Sequence, residues 1–405
     1  MTVLNEIKKL DAWIENNGWS GWDPYDIKGK KPVIRLAALG DKFKFCAYLR
    51  ELLYEFFYQY PRFSRRLFNV QRTTNPKAMG LMAAAYIDLY HSTEDKKYLT
   101  KAESMLDWLS ENLVRINEGI GWGYPFDWQS TKLIPAHTPN GIVTTAAGEA
   151  FWSFFQLTGE KKYLDTCIEI CHFLAGLPTY LEGEDKICFS YTPLYVNHVH
   201  NLNLFVAEFL LKIGLRSGNQ EWVRLANSAV NYTLADQAED GTFDYNGPPE
   251  KPRNFVDNYH TGFVLRMLHS IWKLTKRKEV FEALELCYHH YTTHFFEDRK
   301  IPKLLPDRKY RIDIHSCAES INCISVLSES YPEQFDLAGN VLKWTIENLQ
   351  DPTGYYYFGI LKSRITGRPF ISKIPYLRWG QAWMLRALAA YHLQDSSQTI
   401  HQGNA

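Results

Sequence analysis

The sequence lacks the features that would mark a membrane-embedded or secreted protein. No segment approaches the roughly 18 consecutive apolar residues of a membrane-spanning helix, and the N-terminal segment MTVLNEIKKLDAWIENNGW has no signal-peptide hydrophobic run. The seven cysteines are odd in number and follow neither a disulfide framework nor a CxxC pair. These absences predict a soluble cytoplasmic protein whose thiols are reduced.

An excess of one charge is also missing, since 45 Lys and Arg balance 45 Asp and Glu. This balance argues against non-specific binding to nucleic acid or to an acidic membrane surface, and we expect neither nucleic-acid partners nor membrane insertion. Aromatic residues, by contrast, make up 15% of the chain, with 12 Trp and 25 Tyr. Such a surplus is typical of clefts that bind sugars or apolar ligands, and equally of the core of a large helical protein, so both interpretations stay open.

A linker between two helices recurs along the chain. Segment 93–99 (TEDKKYL) returns as 158–164 (TGEKKYL), and weaker copies begin at Ser217, Thr275 and Ser330. The final aromatic or apolar residue of each copy falls at 98, 163, 222, 280 and 335, which gives steps of 65, 59, 58 and 55 residues. A period of this size predicts stacked helical hairpins.

The helices on the two sides of each linker have different apolar patterns. Before the linker, segments such as 143–157 and 262–274 are apolar on nearly every face, which is typical of a buried helix. After it, apolar residues occupy one stripe, as in Tyr98, Ala102, Met105, Leu109 and Leu113. Buried inner helices that alternate with half-exposed outer helices predict a double ring.

The predicted fold is therefore an all-α (α/α)6 toroid that forms a single domain over residues 1–405. Inner helices are expected near 75–90, 138–157, 198–214, 257–274, 313–329 and 376–393, and an outer helix follows each of the first five. The N-terminal region 1–70 should supply the sixth outer helix, from the stripe Val3, Ile7, Leu10 and Ile14 or from a second helix over 41–58. The ring then closes N-terminus against C-terminus, and 394–405 is left as a disordered tail.

Polar residues gather where the inner helices begin, and in such a ring these starts share one rim. They include Asn140, His200, the run Asp257-Asn258-Tyr259-His260, Asp313, His315 and the pair Arg378-Trp379. Capping alone explains Thr138, Asp257 or Asp313 taken singly, because Asn, Asp, Ser and Thr are favoured helix N-caps. Capping does not explain imidazoles and a guanidinium at equivalent positions, so we predict a binding or catalytic site at the rim.

Three aromatic loops add to this rim. Loop 121–129 (GWGYPFDWQ) surrounds Asp127 with aromatic rings, which suits a general acid beside a platform for a pyranose ring, or else an Asx-turn braced by aromatics. Loop 18–26 (GWSGWDPYD) carries Asp23 and Tyr25. Loop 354–359 (GYYYFG) holds no charge and is expected to form a wall.

Chemistry at a glycosidic carbon generally requires two carboxyl groups. The candidate catalytic residues are Asp127, Asp257 and Asp313, with Asp23 and Asp26 in reserve. Inside the inner helices lie Glu149, Glu208 and Glu319, which are more often paired there but which a lumen could expose. The residues assigned to substrate binding are Trp122, Tyr124, Trp128, Asn140, His200, Tyr259, His260, His315, Arg378, Trp379, Asp23 and Tyr25.

No metal or other cofactor is expected. The pair Cys171-His172 and the run His315-Ser316-Cys317 would fit a zinc site like that of the double-ring lanthionine cyclases. The Trp-Cys element expected of those cyclases is missing, however, and Cys171 falls on the apolar stripe of an outer helix.

The repeat and the polar helix starts resemble the six-hairpin, (α/α)6-toroid glycosidase superfamily over roughly residues 70–393. Segments 21–26 (GWDPYD), 75–78 (NPKA) and 121–128 with Thr138-Pro139 further resemble VpsJ-type bacterial polysaccharide biosynthesis proteins. Segment 257–261 (DNYHT) is similar to a Tyr-His-Thr stretch of the glucuronyl C5-epimerase helical domain. These resemblances imply a saccharide substrate and polysaccharide-biosynthesis partners, but the fold does not choose among reactions.

Three functions therefore stand as hypotheses. The first is a glycoside hydrolase-like enzyme acting on a glycan of bacterial polysaccharide metabolism or biosynthesis, with Asp127 and either Asp257 or Asp313 as its carboxyl pair. The second is an epimerase of the glucuronyl C5 type, in which Tyr259 or Tyr124 exchanges a proton together with His260. The third is a non-catalytic glycan-binding scaffold. A uronate-containing substrate would suit the arginines near rim segments, which are also compatible with solvated surface: Arg72, Arg253, Arg308, Arg311 and Arg378.

Overall fold

The computed structural model describes residues 2–183, 185–249 and 255–403, and helices dominate it. They are α1 (Val3–Asn17), α2 (Lys31–Gly40), α3 (Lys44–Gln59), α4 (Pro61–Leu67), α5 (Pro76–Thr93), α6 (Lys96–Glu111), α7 (Gly141–Thr158), α8 (Lys161–Ala175), α9 (His200–Ser217), α10 (Gln220–Leu234), α11 (Asn258–Thr275), α12 (Lys278–His294), α13 (Ile314–Leu327), α14 (Phe335–Leu349) and α15 (Trp383–Gly403). A π-helical turn over Leu377–Ala382 leads directly into α15, and 3-10 turns span Asp26–Gly29 and Pro332–Gln334.

Six of these helices, α5, α7, α9, α11, α13 and α15, form a closed inner ring. Each packs against the next in this order, and α15 packs against both α13 and α5. The six segments begin at Pro76, Gly141, His200, Asn258, Ile314 and Leu377, within three residues of the starts predicted from the sequence. The predicted all-α toroid is thereby confirmed.

Side-chain caps start four of the inner helices. Asn75, Asn140, Asp257 and Asp313 each accept a hydrogen bond from a backbone N–H in the first turn of the helix that follows. The capping interpretation was therefore correct for Asp257 and Asp313, whereas the cap of α7 is Asn140 rather than Thr138. Because each cap lies at the same end of its helix, the polar side chains that follow the caps face one rim.

The recurring linkers reverse the chain at the other end of the ring. The first residue after α5, α7, α9 and α11 has a positive φ, of 56° at Glu94, 71° at Gly159, 77° at Gly218 and 57° at Lys276. A left-handed residue at this position ends a helix and turns the chain back, so the following outer helix starts two residues later. The outer helices α6, α8, α10 and α12 follow these linkers.

The N-terminus supplies the last outer element. Helix α1 packs against α15, and its predicted stripe residues Ile7, Leu10 and Ile14 are at most 1% exposed. One contiguous apolar core runs from Ile7 to Ala389 through all the inner helices. The ring thus closes N-terminus against C-terminus, while the single-domain organisation of residues 1–405 stays a prediction.

The C-terminal segment differs from its prediction. Helix α15 continues to Gly403, so the described part of 394–405 is helical rather than a disordered tail. Within this segment, Ser396 and Ser397 hydroxyls donate to the carbonyls of His392 and Leu393, which is the pattern of a continuing helix.

Long connections lead from the outer helices to the inner ring, and the described strands lie in them. These are β1 (Ser20–Gly21), β2 (Thr73–Thr74), β3 (Val114–Ile116), β4 (Gly119–Gly121), β5 (Trp128–Gln129), β6 (Leu133–Ile134), β7 (Thr179–Leu181), β8 (Ile187–Phe189), β9 (Phe296–Glu297), β10 (Ile301–Pro302), β11 (Ile312–Asp313), β12 (Gly359–Lys362) and β13 (Pro369–Ser372). All pair in antiparallel fashion, mostly as two-stranded ribbons, with β11, β12 and β13 in one sheet. These ribbons surround the starts of the inner helices.

Candidate active site

An aromatic cluster lies at the rim, where α11, α13 and α15 begin. The ring centroid of Trp379 lies 5.7 Å from that of Tyr259, 4.3 Å from that of His315 and 5.4 Å from that of Tyr25. Tyr25 in turn stacks against Trp128, with centroids 6.2 Å apart. Five residues that the sequence analysis assigned to substrate binding therefore lie close together, although they come from five separate segments.

A buried ion pair ties the N-terminal loop to the last inner segment of this cluster. Nε of Arg378 lies 2.6 Å from Oδ2 of Asp23, and Nη2 lies 2.8 Å from Oδ1. Both residues are at most 4% exposed, and the guanidinium also lies 4.9 Å from the ring centroid of Tyr124. Because both oxygens of Asp23 are engaged, this carboxylate orients Arg378 and the loop.

His260 forms a dyad with Asp257. Nδ1 of His260 lies 2.7 Å from Oδ2 of Asp257, and the backbone N–H of His260 donates to Oδ1 over 2.9 Å. Since an ionised carboxylate only accepts, Nδ1 carries the proton and Nε2 keeps its lone pair in the neutral imidazole. The Asp257 side chain is 3% exposed, whereas that of His260 is 20% exposed. This is the arrangement of a general base or acid held by a positioning carboxylate.

Tyr259 lies between two imidazoles. Its ring centroid is 4.3 Å from that of His260 and 4.6 Å from that of His315, and its plane is parallel to His315 within 3°. Burial raises the pKa of the Tyr259 phenol well above its ordinary value, so the hydroxyl stays protonated at neutral pH. Tyr245, whose ring lies 4.5 Å from His260, completes the wall on the other side of the dyad.

His315 forms the floor of the cluster. It is 2% exposed, and neither of its ring nitrogens has a hydrogen-bond partner among the described residues. Burial, together with the nearby Lys77 and Arg378 charges, lowers the pKa of His315 well below its ordinary value, so the ring is neutral. The predicted substrate-binding role for His315 stays a prediction, since Tyr259 and Trp379 cover the ring in this structure.

Asp313 is engaged on both of its oxygens. Oδ1 accepts the backbone N–H groups of His315 and Ser316, and Oδ2 lies 2.5 Å from Nη2 of Arg311. The carboxylate is fully buried, whereas the Arg311 side chain is 30% exposed. The group that this pair presents to a ligand is therefore the cation rather than the carboxylate.

Asp127 braces its own loop. Oδ1 accepts the backbone N–H of Ala136 over 2.9 Å, which holds the short β5–β6 ribbon in place. The Asp127 carbonyl packs against Gly29 so closely that a Cβ on the glycine would come within 1.9 Å of it. These contacts are those of the aromatic-braced turn considered for this loop, and the catalytic role of Asp127 stays a prediction.

Three residues assigned to substrate binding lie elsewhere, and their assignment is corrected. Trp122 is 1% exposed, and its Nε1 donates to the carbonyl of Leu109, so its ring belongs to the core rather than to a sugar platform. Asn140 is fully buried as the cap of α7. His200 is 1% exposed and its Nε2 lies 2.8 Å from Oδ2 of Asp236, just beyond the outer helix α10.

The inner helices enclose a lumen cavity of about 200 Å³ beneath the rim. Nζ of Lys212 lies 2.6 Å from Glu149 and 3.0 Å from Glu208, and Nε of Arg266 lies 2.6 Å from Glu319. Glu149 and Glu208 line this cavity, as expected for carboxylates inside a ring. Both are paired with Lys212, but the Glu149 side chain is 43% exposed and that of Glu208 is 6% exposed, so the core role considered from the sequence fits Glu208 and the exposed alternative fits Glu149.

Lys77 lies at the junction of lumen and rim. It is 4% exposed, lines the cavity, and places its ammonium 5.2 Å from the Trp383 centroid and 5.7 Å from the Phe263 centroid. Burial, reinforced by the charge of Arg378, lowers its pKa well below the ordinary value of a lysine. No role was assigned to Lys77 from the sequence, although a lysine in the first turn of an otherwise apolar inner helix was a usable signal.

The arginines near the rim divide into two groups. Arg378 and Arg311 contact the aromatic cluster or its flanking carboxylates. Arg72 and Arg308 are exposed and make peripheral contacts, and Arg253 lies outside the described residues. Both of these arginines are paired, Arg378 with Asp23 and Arg311 with Asp313, and Arg311 is the one whose side chain is partly exposed.

Other possible sites receive no support from the geometry. In the described ranges, no three His, Cys, Asp or Glu side chains converge as metal ligands, and all seven cysteines, which lie in these ranges, are unpaired. Across the same ranges, none of the helices is both long and apolar enough to cross a bilayer.

Comparison with known proteins identifies the fold. No family model and no curated protein matches the sequence. Solved structures do match, among them a family 76 α-mannanase from Bacteroides thetaiotaomicron (11% identity, 84% of this chain and 90% of that chain, TM-score 0.61). Others are a cellobiose 2-epimerase from Bacillus thermoamylovorans (10%, 82% and 90%, 0.60) and an unsaturated glucuronyl hydrolase specific for heparin (13%, 80% and 88%, 0.56). The chain therefore has the six-hairpin, (α/α)6-toroid fold, while the narrower VpsJ-type resemblance stays a prediction.

Proposed function

We propose that this protein is an enzyme that acts on a saccharide and moves a proton at a sugar carbon, with His260 as its base or acid. The observation that carries the proposal is the 2.7 Å contact between Nδ1 of His260 and Oδ2 of Asp257. It leaves Nε2 of a partly accessible imidazole as the group available for proton transfer. Structural neighbours that act on saccharides by epimerisation or hydrolysis support the substrate class.

The state of the carboxylates favours proton transfer over glycosidic cleavage. Hydrolysis of a glycoside requires one carboxyl group as acid and a second as base or nucleophile. Asp257 and Asp313 are buried and engaged on both oxygens, which leaves neither poised to attack a sugar carbon. A buried carboxylate in such an arrangement serves to position its neighbour, here His260 or Arg311.

The proposed step is an epimerisation. Nε2 of His260 removes a proton from a carbon beside a carbonyl or carboxyl group, and the C–H electron pair passes into that group as an enolate. The protonated imidazole releases its proton to solvent, and a proton from solvent is added to the opposite face of the carbon, so no oxidant or reductant is consumed. The Tyr259 phenol, whose ring contacts that of His260, lies on the same side of the carbon as the base. The partly exposed side chain of Arg311 supplies a counter-charge for a uronate carboxylate. A glycan that contains uronate is therefore the substrate we propose.

Incubation in deuterated water tests the proposal. Neutral and uronate-containing oligosaccharides are incubated with the protein, and deuterium in the recovered sugar and new reducing ends are both measured. We expect deuterium on carbon without cleavage, lost in His260→Asn and kept in His289→Asn, a matched change at an exposed histidine of α12.

Hydrolysis is the second candidate, favoured by the half-buried Asp127 beside Trp128. New reducing ends that Asp127→Asn abolishes, with no deuterium on carbon, would replace epimerisation by this reaction. Saccharide binding with neither product would indicate the glycan-binding scaffold. Involvement in polysaccharide biosynthesis, and the partners that it implies, belongs to the same proposal.

A further inference from the structure

Exposed apolar side chains concentrate on one small part of the surface. Of nineteen large apolar side chains exposed among the described residues, nine lie between residues 39 and 67. They are Leu39, Phe43, Phe45, Tyr48, Leu49, Leu52, Tyr60, Phe63 and Leu67, with exposed fractions from 38% to 70%. We call this set, on helices α2 to α4, the apolar face. Isolated exposed apolar residues are ordinary, but a cluster of this kind marks an interaction surface.

The apolar face follows the periodicity of helix α3. Phe45, Tyr48, Leu49 and Leu52 occupy positions i, i+3, i+4 and i+7, so they form one stripe along the helix. The stripe continues to α4 through Phe56, whose ring lies 6.1 Å from that of the exposed Phe63. Helix α3 is thus amphipathic with an apolar stripe that points away from the protein.

The opposite face of α3 is fixed to the protein. Phe57 is 4% exposed, and buried Glu55 accepts the backbone N–H of Arg364 over 3.2 Å. The ammonium of Lys28 lies 5.8 Å from the Tyr58 centroid on this face and 5.9 Å from that of Tyr25 at the rim. Packing on the inner side therefore holds the stripe outward, and it is the inner side of α3 that approaches Tyr25 of the candidate active site through Lys28.

Positive charge surrounds the apolar face. Residues 28–67 contain ten Lys and Arg but three Asp and Glu, in a chain whose totals are 45 and 45. The exposed cations of this segment are Lys31, Arg35, Lys42, Lys44, Arg62 and Arg66. At the turn between α2 and α3, the sequence Lys42-Phe43-Lys44-Phe45 alternates exposed cations with exposed rings. The chain as a whole is neutral, and no binding to acidic membranes was expected from that balance. The neutral total does not show that positive charge is concentrated in residues 28–67.

We propose that the apolar face and its cations bind the surface of an anionic lipid bilayer. Aromatic and aliphatic side chains insert at the boundary between headgroups and acyl chains, and the lysines contact the lipid phosphates. A second copy of the chain is disfavoured as the occupant, because a symmetric contact would place two strongly basic segments against each other. This mode of binding places the protein on the bilayer and requires no membrane-spanning helix.

Vesicle co-sedimentation tests the proposal with the full chain. Vesicles of phosphatidylcholine alone are compared with vesicles that also contain phosphatidylglycerol, at low and high salt. We expect binding to the anionic vesicles only, weakened by salt. Lys42→Gln with Lys44→Gln should lower the partition coefficient about 10- to 30-fold, and Phe45→Ser with Tyr48→Ser should lower it at least as much.

Matched changes on the outer helix α12 serve as controls. Leu286 is 53% exposed and the Lys278 side chain is 84% exposed, so Leu286→Ser and Lys278→Gln alter the same chemistry elsewhere and should leave binding unchanged. Circular dichroism checks that each variant is folded. Equal binding to both vesicle types, no binding to either, or equal losses in the control variants would overturn the proposal. So would a dimer, detected by light scattering, that Phe45→Ser with Tyr48→Ser dissociates.

Discussion

Nδ1 of His260 lies 2.7 Å from Oδ2 of Asp257, three residues earlier on the same helix start. The other oxygen of Asp257 caps α11 by accepting the backbone N–H of His260 over 2.9 Å. A single carboxylate therefore fixes both the beginning of the helix and the orientation of the imidazole. This arrangement explains why a residue that is a helix cap is also tied to the candidate chemistry.

Asp257→Asn separates the two roles of this carboxylate. An asparagine still caps the helix through Oδ1, but it does not stabilise a protonated imidazole, so we expect turnover to fall about 10²- to 10⁴-fold with little change in folding. The measurement is kcat against pH on the saccharide that the deuterium screen identifies. A positioning role predicts an altered pH profile and no further loss when His260→Asn is added. An unchanged rate and profile would show that Asp257 is a cap and nothing more.

The two tryptophans of loop 121–129 should respond differently to truncation. Trp122 is 1% exposed and stacks on Phe151 with centroids 6.1 Å apart, so Trp122→Ala should lower the free energy of unfolding by about 3–5 kcal/mol. Trp128 is half-buried beside Tyr25, so Trp128→Ala should weaken saccharide binding about 10-fold at a smaller cost in stability. Urea unfolding and titration calorimetry provide the two measurements. The reverse pattern would restore the platform role first assigned to Trp122.

The ion pair between Asp23 and Arg378 should contribute to closing the ring. Removing one partner leaves a buried guanidinium without its counter-charge, so Asp23→Asn should lower the free energy of unfolding by about 3 kcal/mol. The exposed pair Glu221–Arg224, in which both side chains are 59% exposed, is the control, and Glu221→Gln should change stability by less than about 0.5 kcal/mol. Urea denaturation of both variants gives the comparison. Equal effects would mean that the buried pair contributes no more than a surface pair.

Lys77→Met should stabilise the protein at neutral pH. Burial lowers the pKa of Lys77 well below 10.5, so below pH 10.5 the unfolded chain binds a proton that the native state does not hold. Native stability therefore decreases as pH falls from 10.5 towards the lowered pKa, and methionine removes this loss. We expect a gain of about 1–2 kcal/mol at pH 7 that shrinks as pH rises towards 10.5, measured by denaturant unfolding. Destabilisation at pH 7 would show that the ammonium has a stabilising partner.

The ring could be predicted from the sequence because its signals are local and repeated. The linker that turns the chain at Glu94 and Gly159 recurs with a nearly constant period, and each inner helix is apolar on nearly all its faces. The positions at which the inner helices begin, and with them most residues of the candidate site, follow directly from that period. Whether the polar residues at one helix start cap the helix or take part in catalysis is harder to predict, since capping and catalysis use the same residue types.

Contacts between distant segments could not be predicted in this way. Asp23 and Arg378 are 355 residues apart, and their pairing depends on how the closed ring brings the two termini together. The side of a loop that faces the core is likewise a tertiary property, which is why Trp122 was assigned to a sugar platform. The contact between His200 and Asp236, which lies just beyond the outer helix α10, was not predicted for the same reason.

His269 should make the protein sensitive to moderate acid. It is 2% exposed, and its Nε2 lies 2.9 Å from the hydroxyl of Ser330. Burial lowers its pKa from 6.5 to about 4, with the charges of Lys273 and Lys276 acting in the same direction and Glu329 opposing them. Between pH 6.5 and about pH 4 the unfolded chain therefore binds the proton in preference to the native state, and stability is lost as pH falls through this window.

His269→Gln removes this titration while keeping a group that hydrogen-bonds to Ser330. We expect the free energy of unfolding of the native sequence to fall relative to the variant by up to about 3 kcal/mol between pH 6.5 and 4, because one pKa unit corresponds to about 1.4 kcal/mol. Carboxylates titrate in both proteins, so their contribution cancels in the difference. Urea unfolding across this pH range gives the measurement, with His289→Gln on the exposed side of α12 as the control. Parallel stability curves for all three proteins would mean that His269 is protonated in the native state as readily as in the unfolded chain.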